Sequence, residues 1–181
     1  VGAKIADRAD FIKGIKDSGI SLSVFGRGWG QGLVSQKGML QIFHDSKISL
    51  NFTKSIIPGR RKQLKGRAFE ILMAGGVLLT EHDDELLDYF EIGSEIDTFS
   101  SVGECIEKIH FYLNNADIRR DMQKRAVKKC REVFSFESAW GSYLSKIEED
   151  KLVRPNSLNL SSVPKASLIS FLDWNCGYVF A

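Results

Sequence analysis

The chain has 181 residues, of which 43% are hydrophobic and 27% are charged. This length and balance predict a soluble, globular protein with one sizeable hydrophobic core. The formal net charge is only +2, so no global electrostatic field favours nucleic acid or a membrane surface as a partner. No apolar run reaches the roughly 20 residues of a membrane-spanning helix, and we therefore expect no transmembrane segment.

The cysteines are Cys105, Cys130 and Cys176, which lie far apart and form no Cys-x-x-Cys pair. Their odd number and wide spacing argue against a disulfide framework and against a zinc site. Reduced thiols indicate a cytoplasmic location. The sequence starts at Val1-Gly2 rather than at a methionine, which we interpret as the start of a fragment.

Helical and strand patterns alternate over the first hundred residues. Strands are predicted at 20–25, 47–52, 77–79 and 96–99, and helices at 6–17, at 36–44 and in a short form up to residue 89. Ser35 is the expected N-cap of the second helix, and Asp83 or Asp84 of the short one. Because strands that alternate with helices form parallel sheets with right-handed crossovers, we predict an α/β fold.

Beyond residue 100 the apolar pattern is wholly helical. Three stripes are predicted to face inward: Cys105, Ile109, Tyr112 and Leu113; Ile118, Met122, Ala126, Cys130 and Val133; and Phe136, Trp140, Tyr143, Leu144 and Ile147. We expect one domain over 1–150 and a tail over 151–181 whose role is unknown.

The stretch 65–81 predicts a helix that runs directly into a buried strand. Phe69, Leu72 and Met73 have the spacing of one helix face. Gly75-Gly76 predicts the left-handed end of that helix. Arg67 and Glu70 stand out as charged residues near its start, where parallel sheets usually bind ligands.

Basic residues crowd the loop and helix start at this point, namely Arg60, Arg61, Lys62, Lys65 and Arg67. Such a cluster suits a diphosphate, because the helix N-terminus adds partial positive charge and N–H donors. A solvated basic loop is an equally good explanation. Glu70 has the chemistry to bind a ribose diol through two hydrogen bonds, although a solvated helix charge is the more common role.

A glycine-rich segment, 26–32, follows the strand predicted at 20–25. Gly26 and Gly28 would let the backbone approach a ligand, and Trp29 offers a stacking surface; a flexible surface loop is the alternative. His82-Asp83-Asp84 has the composition of an acidic metal motif, but a helix cap explains it better. We predict no metal site.

Several spaced motifs resemble one known family. They are Arg67-x-Phe69-Glu70, Met73-x-Gly75-Gly76, Leu79-Thr80, Asp88-Tyr89-Phe90, Gly93-x-Glu95, Gly26-x-Gly28-Trp29, Gly32-x-Val34-Ser35, 47–52 and Ser135-Phe136. In this order they are similar to the C-terminal domain of a GT-B glycosyltransferase, of the CgeB-like or glycosyltransferase group 1 family. The likeness covers about 1–148.

The resemblance implies the Rossmann-like C-terminal half of a GT-B fold, which binds a nucleoside diphosphate sugar without a metal cofactor. Glu70 matches the second glutamate of the family's Glu-x7-Glu motif, which contacts the donor ribose, whereas Lys62 replaces the first. Arg8 lies near the phosphate-binding lysine, and Ala3 stands where an arginine often accompanies it. The implied donor-binding residues are Arg8, Gly26, Gly28, Trp29, Lys65, Arg67, Glu70, Gly75 and Gly76.

The same resemblance implies a missing N-terminal domain for an unknown acceptor, and catalytic residues that the sequence does not identify. The alternative is a non-catalytic α/β binding or regulatory module, most plausibly a degenerate glycosyltransferase. A phosphoacceptor receiver domain fits poorly, because it needs an aspartate where Asn51-Phe52 stand.

Overall fold

A three-stranded parallel sheet lies at the centre of the computed structural model, which describes residues 2–4, 6–53 and 64–134. The elements are α1 (Ala6–Asp17), α2 (Gln36–Asp45), β1 (Ser49–Asn51), α3 (Gly66–Met73), β2 (Leu78–Glu81), a 3-10 helix (Asp84–Asp88), β3 (Asp97–Phe99), α4 (Val102–Asn114) and α5 (Ala116–Val133). The strand order is β1-β2-β3, and Leu79 lies opposite Leu50 on one side and Asp97 on the other.

Helices cover both faces of the sheet, because consecutive residues of a strand point in opposite directions. Leu78 packs on the face of α2, α3 and α5, in a core that includes Ile71 and Ala126. Leu79 packs on the face of α1 and α4, in a core that includes Ile15 and Ile109. The predicted α/β fold with a Rossmann-like parallel sheet is therefore confirmed.

Local side-chain caps set the starts of three helical segments. Ser35 Oγ accepts a hydrogen bond from Gly38 N at 3.1 Å, at the start of α2. The Asp83 carboxylate accepts one from Glu85 N, and Ser101 Oγ accepts one from Glu104 N at 3.2 Å. The predicted caps at Ser35 and Asp83 are confirmed.

The strand predicted at 20–25 is not formed. At its C-terminal end Phe25 O accepts a hydrogen bond from Gly2 N at 2.8 Å, and just beyond it Arg27 O accepts one from Lys4 N at 2.9 Å. Leu22 and Leu50 of β1 line the same cavity. Within the described residues this stretch has no ladder of hydrogen bonds to a neighbouring strand, so the extended apolar segment is not a strand.

Three predicted apolar faces are partly wrong. Helix α3 buries Ala68, Ile71 and Leu72, whereas Met73 is 62% exposed. In α4 and α5 the centres of the stripes are buried as predicted, but Leu113, Ile118 and Val133 are exposed. The third stripe, at 136–147, and the tail at 151–181 lie outside the described residues.

A polar cluster joins α4 to the start of β3. The Asp97 carboxylate is buried, and it accepts hydrogen bonds from Lys108 Nζ at 2.9 Å and from Tyr112 Oη at 2.7 Å. Burial and the Asp97 carboxylate raise the pKa of Tyr112.

Within the described ranges, no helix is both long and apolar enough to cross a bilayer.

Candidate functional site

A cavity of about 180 Å³ lies at the carboxyl end of β1, between α1 and the start of α3. Its lining includes three cationic side chains, Arg8 from α1 and Lys65 and Arg67 from the start of α3, together with Gly2, Ile12, Leu22, Ser23, Val24, Trp29, Leu50, Asn51 and Phe52. Parallel sheets bind ligands at this edge, outside the carboxyl ends of their strands.

Arg8 extends from the first turn of α1. Its Nη1 donates to Ala3 O at 2.8 Å, and its guanidinium carbon lies 5.2 Å from the centre of the Phe52 ring. The Nε atom is buried and has no hydrogen-bond acceptor among the described residues. Burial lowers the pKa of Arg8, and the negative charge of Glu81 opposes that shift. An N–H donor is thus buried beside the cavity.

Lys65 immediately precedes α3 and has extended backbone angles, φ −108° and ψ 143°. Its Nζ donates to Phe52 O at 2.8 Å, which brings the ammonium to the carboxyl end of β1. Burial lowers the pKa of Lys65, the charge of Arg8 lowers it further, and the charge of Glu81 raises it. Two partly buried cations therefore share one corner of the sheet.

Arg67 and Glu70 form an ion pair on α3, with 3.3 Å between Nη1 and Oε2. The Arg67 guanidinium also lies over the Phe43 ring and donates to Met39 Sδ. Glu70 Oε2 is buried but makes no hydrogen bond within the described residues, because the contact with Arg67 lacks hydrogen-bond geometry. Glu70 thus contacts Arg67, which lines the cavity, but does not line the cavity itself.

The glycine-rich segment meets the chain itself. A Cβ on Gly26, whose φ is +127°, would lie 2.2 Å from Gly2 O, and one on Gly28 would lie 3.1 Å from the Cβ of Lys4. The Trp29 ring lines the cavity, but its Nε1 donates to Gly2 O at 2.9 Å. The structure gives these two glycines a packing role and Trp29 an apolar wall.

Gly75 and Gly76 lie at the opposite end of α3 and do not line the cavity. Gly75 has a φ of +79°, the left-handed conformation predicted for the end of this helix. A Cβ on Gly76 would lie 2.9 Å from Phe43 O, so the backbones of α2 and of this turn approach closely there.

Sequence analysis missed the polar residues that join the carboxyl ends of the strands. Asn51 Nδ2 donates to Thr80 Oγ1 at 3.0 Å. Thr53 donates to Glu81 Oε2 from both its N and its Oγ1, at 3.0 and 3.1 Å. The available signal was their position, because each of these polar residues lies at or just beyond the C-terminal end of a segment predicted to be a strand.

A second cavity, of about 190 Å³, shares Arg8 and Phe52 with the first. It is also lined by Asp7, Phe11, Glu81, Phe99 and Ser100. Small-molecule sites usually measure at least about 300 Å³, so the first cavity alone has room for one portion of a larger ligand. Its three cations suit an anionic portion such as a phosphate.

The segment His82-Asp83-Asp84 forms a helix cap. Asp83 caps the 3-10 helix, while His82 Nε2 lies 3.2 Å from Asp84 Oδ1. Nowhere in the described part of the chain do three or more His, Cys, Asp or Glu side chains gather as a metal site would need.

The described structure is that of an α/β protein with a parallel sheet and a cationic cavity at the carboxyl edge of that sheet. Within this class, the chain belongs to the glycosyl transferase-like family, whose model matches residues 8–145, more than half of the chain. No curated protein and no solved structure matches it. Membership supports a sugar-transferring activity.

Proposed function

We propose that this chain is the donor-binding domain of a GT-B glycosyltransferase of the CgeB-like branch. It binds a nucleoside diphosphate sugar at the carboxyl edge of the sheet, for transfer of the sugar to an acceptor. The observation that carries the proposal is the convergence of Arg8, Lys65 and Arg67 on one cavity in a glycosyl transferase-like chain.

The diphosphate would lie against these cations and the N-terminus of α3. Arg8 has a buried Nε without an acceptor among the described residues, and Lys65 and Arg67 flank the first turn of α3. Positive side chains and helix N–H groups that are already in place stabilise the charge that develops on a departing diphosphate. The reaction proposed here accordingly needs no metal ion.

Glu70 would bind the ribose of the donor. Its Oε2 is buried, lacks a hydrogen bond in the described structure and lies beside Arg67. A buried carboxylate oxygen that has an ion pair but no hydrogen bond retains the capacity to accept hydroxyl donors. Arg67, which pairs with Glu70 and lines the cavity, would position the carboxylate beside it.

The acceptor would bind to a separate N-terminal domain across a cleft from this one. We therefore expect the isolated chain to bind the donor nucleotide but to transfer sugar slowly or not at all. We also propose a cytoplasmic location, in keeping with the free, buried thiols of Cys105 and Cys130.

Calorimetric titration of the purified chain with UDP, GDP, ADP and dTDP tests this function. The expected result is saturable binding of one of them, with the same affinity in EDTA and in excess Mg²⁺. A nucleotide that binds only with Mg²⁺ would contradict the metal-independent mechanism. A folded chain that binds none would favour a glycosyltransferase fold retained as a non-catalytic interaction module.

The site assignment predicts that Arg67→Ala and Glu70→Ala each weaken binding of that nucleotide about 10- to 100-fold, since one hydrogen bond to a charged group contributes roughly 1.5–3 kcal/mol. Arg120→Ala is the matched control, because Arg120 pairs with Asp117 on an exposed face of α5. Affinities within twofold of the wild type for both site variants would refute the assignment.

A further inference from the structure

We propose that Glu81, which neither the family match nor the sequence motifs single out, is a positioning residue of the diphosphate site. Its carboxylate acts as the counter-charge that holds Arg8 and Lys65 together while the site is empty, and it competes with the diphosphate when the site is filled. The identity of the ligand rests on the proposed function, whereas the role of Glu81 as a counter-charge to Arg8 and Lys65 does not.

Glu81 lies at the end of β2, one strand away from the cations. Its Oε2 accepts two hydrogen bonds from Thr53, whose side chain is fully buried just beyond β1. Phe52, next to Thr53, accepts the hydrogen bond from Lys65 Nζ. The carboxylate is thus fixed to the same short segment that holds the Lys65 ammonium.

Arg8 and Lys65 carry like charges in a partly buried corner, where repulsion is screened less than in water. The Arg8 charge lowers the pKa of Lys65, and the Glu81 charge raises the pKa of both cations. Asp7 faces the same second cavity from α1, while Phe99 and Ser100 at the end of β3 carry no charge. Glu81 is therefore a carboxylate placed to balance both cations.

Removal of this counter-charge has two opposite consequences for an anionic ligand. While both cations are protonated, a site without the Glu81 charge attracts a diphosphate more strongly. As the pH rises, Lys65 loses its proton at a lower pH in the site without the Glu81 charge than in the wild type. That site therefore loses its attraction for the diphosphate at a lower pH. A purely structural glutamate would instead weaken binding at every pH.

The first experiment measures the protonation of Lys65 without any nucleotide. Competitive acetylation over a pH series, read by mass spectrometry, gives the reactivity of each lysine in the folded chain. Glu81→Gln should lower the pKa of Lys65 and raise its reactivity near pH 8 by about 3- to 10-fold. Lys124 should not change, and Glu107→Gln, which alters an exposed carboxylate on α4, should leave Lys65 unchanged.

Glu81→Gln retains an oxygen that accepts both hydrogen bonds from Thr53, so the fold is expected to persist. Glu81→Asp provides a second variant, which keeps the charge and should keep most of the Lys65 shift. An unchanged pKa of Lys65 in folded Glu81→Gln would overturn the proposal, whether or not any nucleotide binds.

The second experiment titrates the wild type and Glu81→Gln with UDP, GDP, ADP and dTDP from pH 6.5 to 10. We expect the variant to bind roughly 3- to 10-fold more tightly at pH 7 and to lose affinity at a lower pH than the wild type. Weaker binding by the variant at pH 7 would overturn the counter-charge role. Absence of binding by the wild type would count against the proposed function, and Lys65 acetylation would still decide the role of Glu81.

Discussion

Gly26 shows at the level of one residue how closely two chain segments pack beside the site. Its φ of +127° is unfavourable for residues with a Cβ, and an added Cβ would lie 2.2 Å from Gly2 O. Gly26→Ala should therefore lower the free energy of unfolding by about 2 kcal/mol or more, measured by urea denaturation. Gly30 is the control, because a Cβ there would meet nothing within 4 Å. Equal stability of Gly26→Ala and Gly30→Ala would contradict this reading.

Gly26 also shows how much of a glycine's structural role can be predicted from the sequence. The glycine-rich turn after an apolar run predicted that the backbone approaches a ligand, with a flexible surface loop as the alternative. The structure shows a close approach at Gly26, and the group approached is the backbone of Gly2. Glu81 was missed for a related reason, since its partner Thr53 is 28 residues away and on another strand.

At the level of elements, α3 offers two neighbouring residues with opposite environments. Leu72 is fully buried against the sheet and α5, whereas Met73 is 62% exposed. We expect Leu72→Ala to cost about 2–5 kcal/mol of unfolding free energy, since it leaves a cavity in the core. Met73→Ala should stay within about 0.5 kcal/mol of the wild type. Thermal or urea denaturation of the two variants compares them directly, and similar losses would contradict the observed helix face.

Elements held by local contacts were predictable, and those held by distant contacts were not. Ser35 caps α2 through a backbone N–H three residues away, so the sequence alone predicts the helix start. The residues at 20–25 have a strand-like composition, but a strand needs a hydrogen-bonded neighbour that composition does not specify. In α3 both Met73 and Ile71 suit an apolar face, and only packing against the sheet selects Ile71.

The structure brings some of the predicted site residues together and separates others, again according to whether local sequence specifies their position. Charge and position near a helix start identified Lys65, Arg67 and Glu70, and the fold brings Arg8 to the first two of them. Gly75 and Gly76 belong to the far end of the same helix, a separation that follows from helix length alone.

For the whole molecule, buried acidic groups predict loss of stability at alkaline pH. Burial raises the pKa of Cys105 to about 12 and that of Cys130 to about 11, from an ordinary value of 9.0. Burial also raises the pKa of Tyr112. Because these folded-state values lie above the unfolded ones, the stabilisation is complete below pH 9 and is lost as the pH rises toward 11 and 12. Each thiol should cost about 1 kcal/mol of unfolding free energy at pH 10.

Urea denaturation at pH 8 and at pH 10 measures this loss, and two variants separate its sources. Cys105→Ala with Cys130→Ala should reduce the difference between the two pH values, whatever it does to stability at pH 8. Lys65 acts in the opposite direction, because its pKa is lowered on folding and deprotonation of the buried ammonium stabilises the fold. Lys65→Met should consequently make the alkaline loss steeper. A pH dependence that is unchanged in the double cysteine variant would show that these thiols ionise equally well in the folded and unfolded chain.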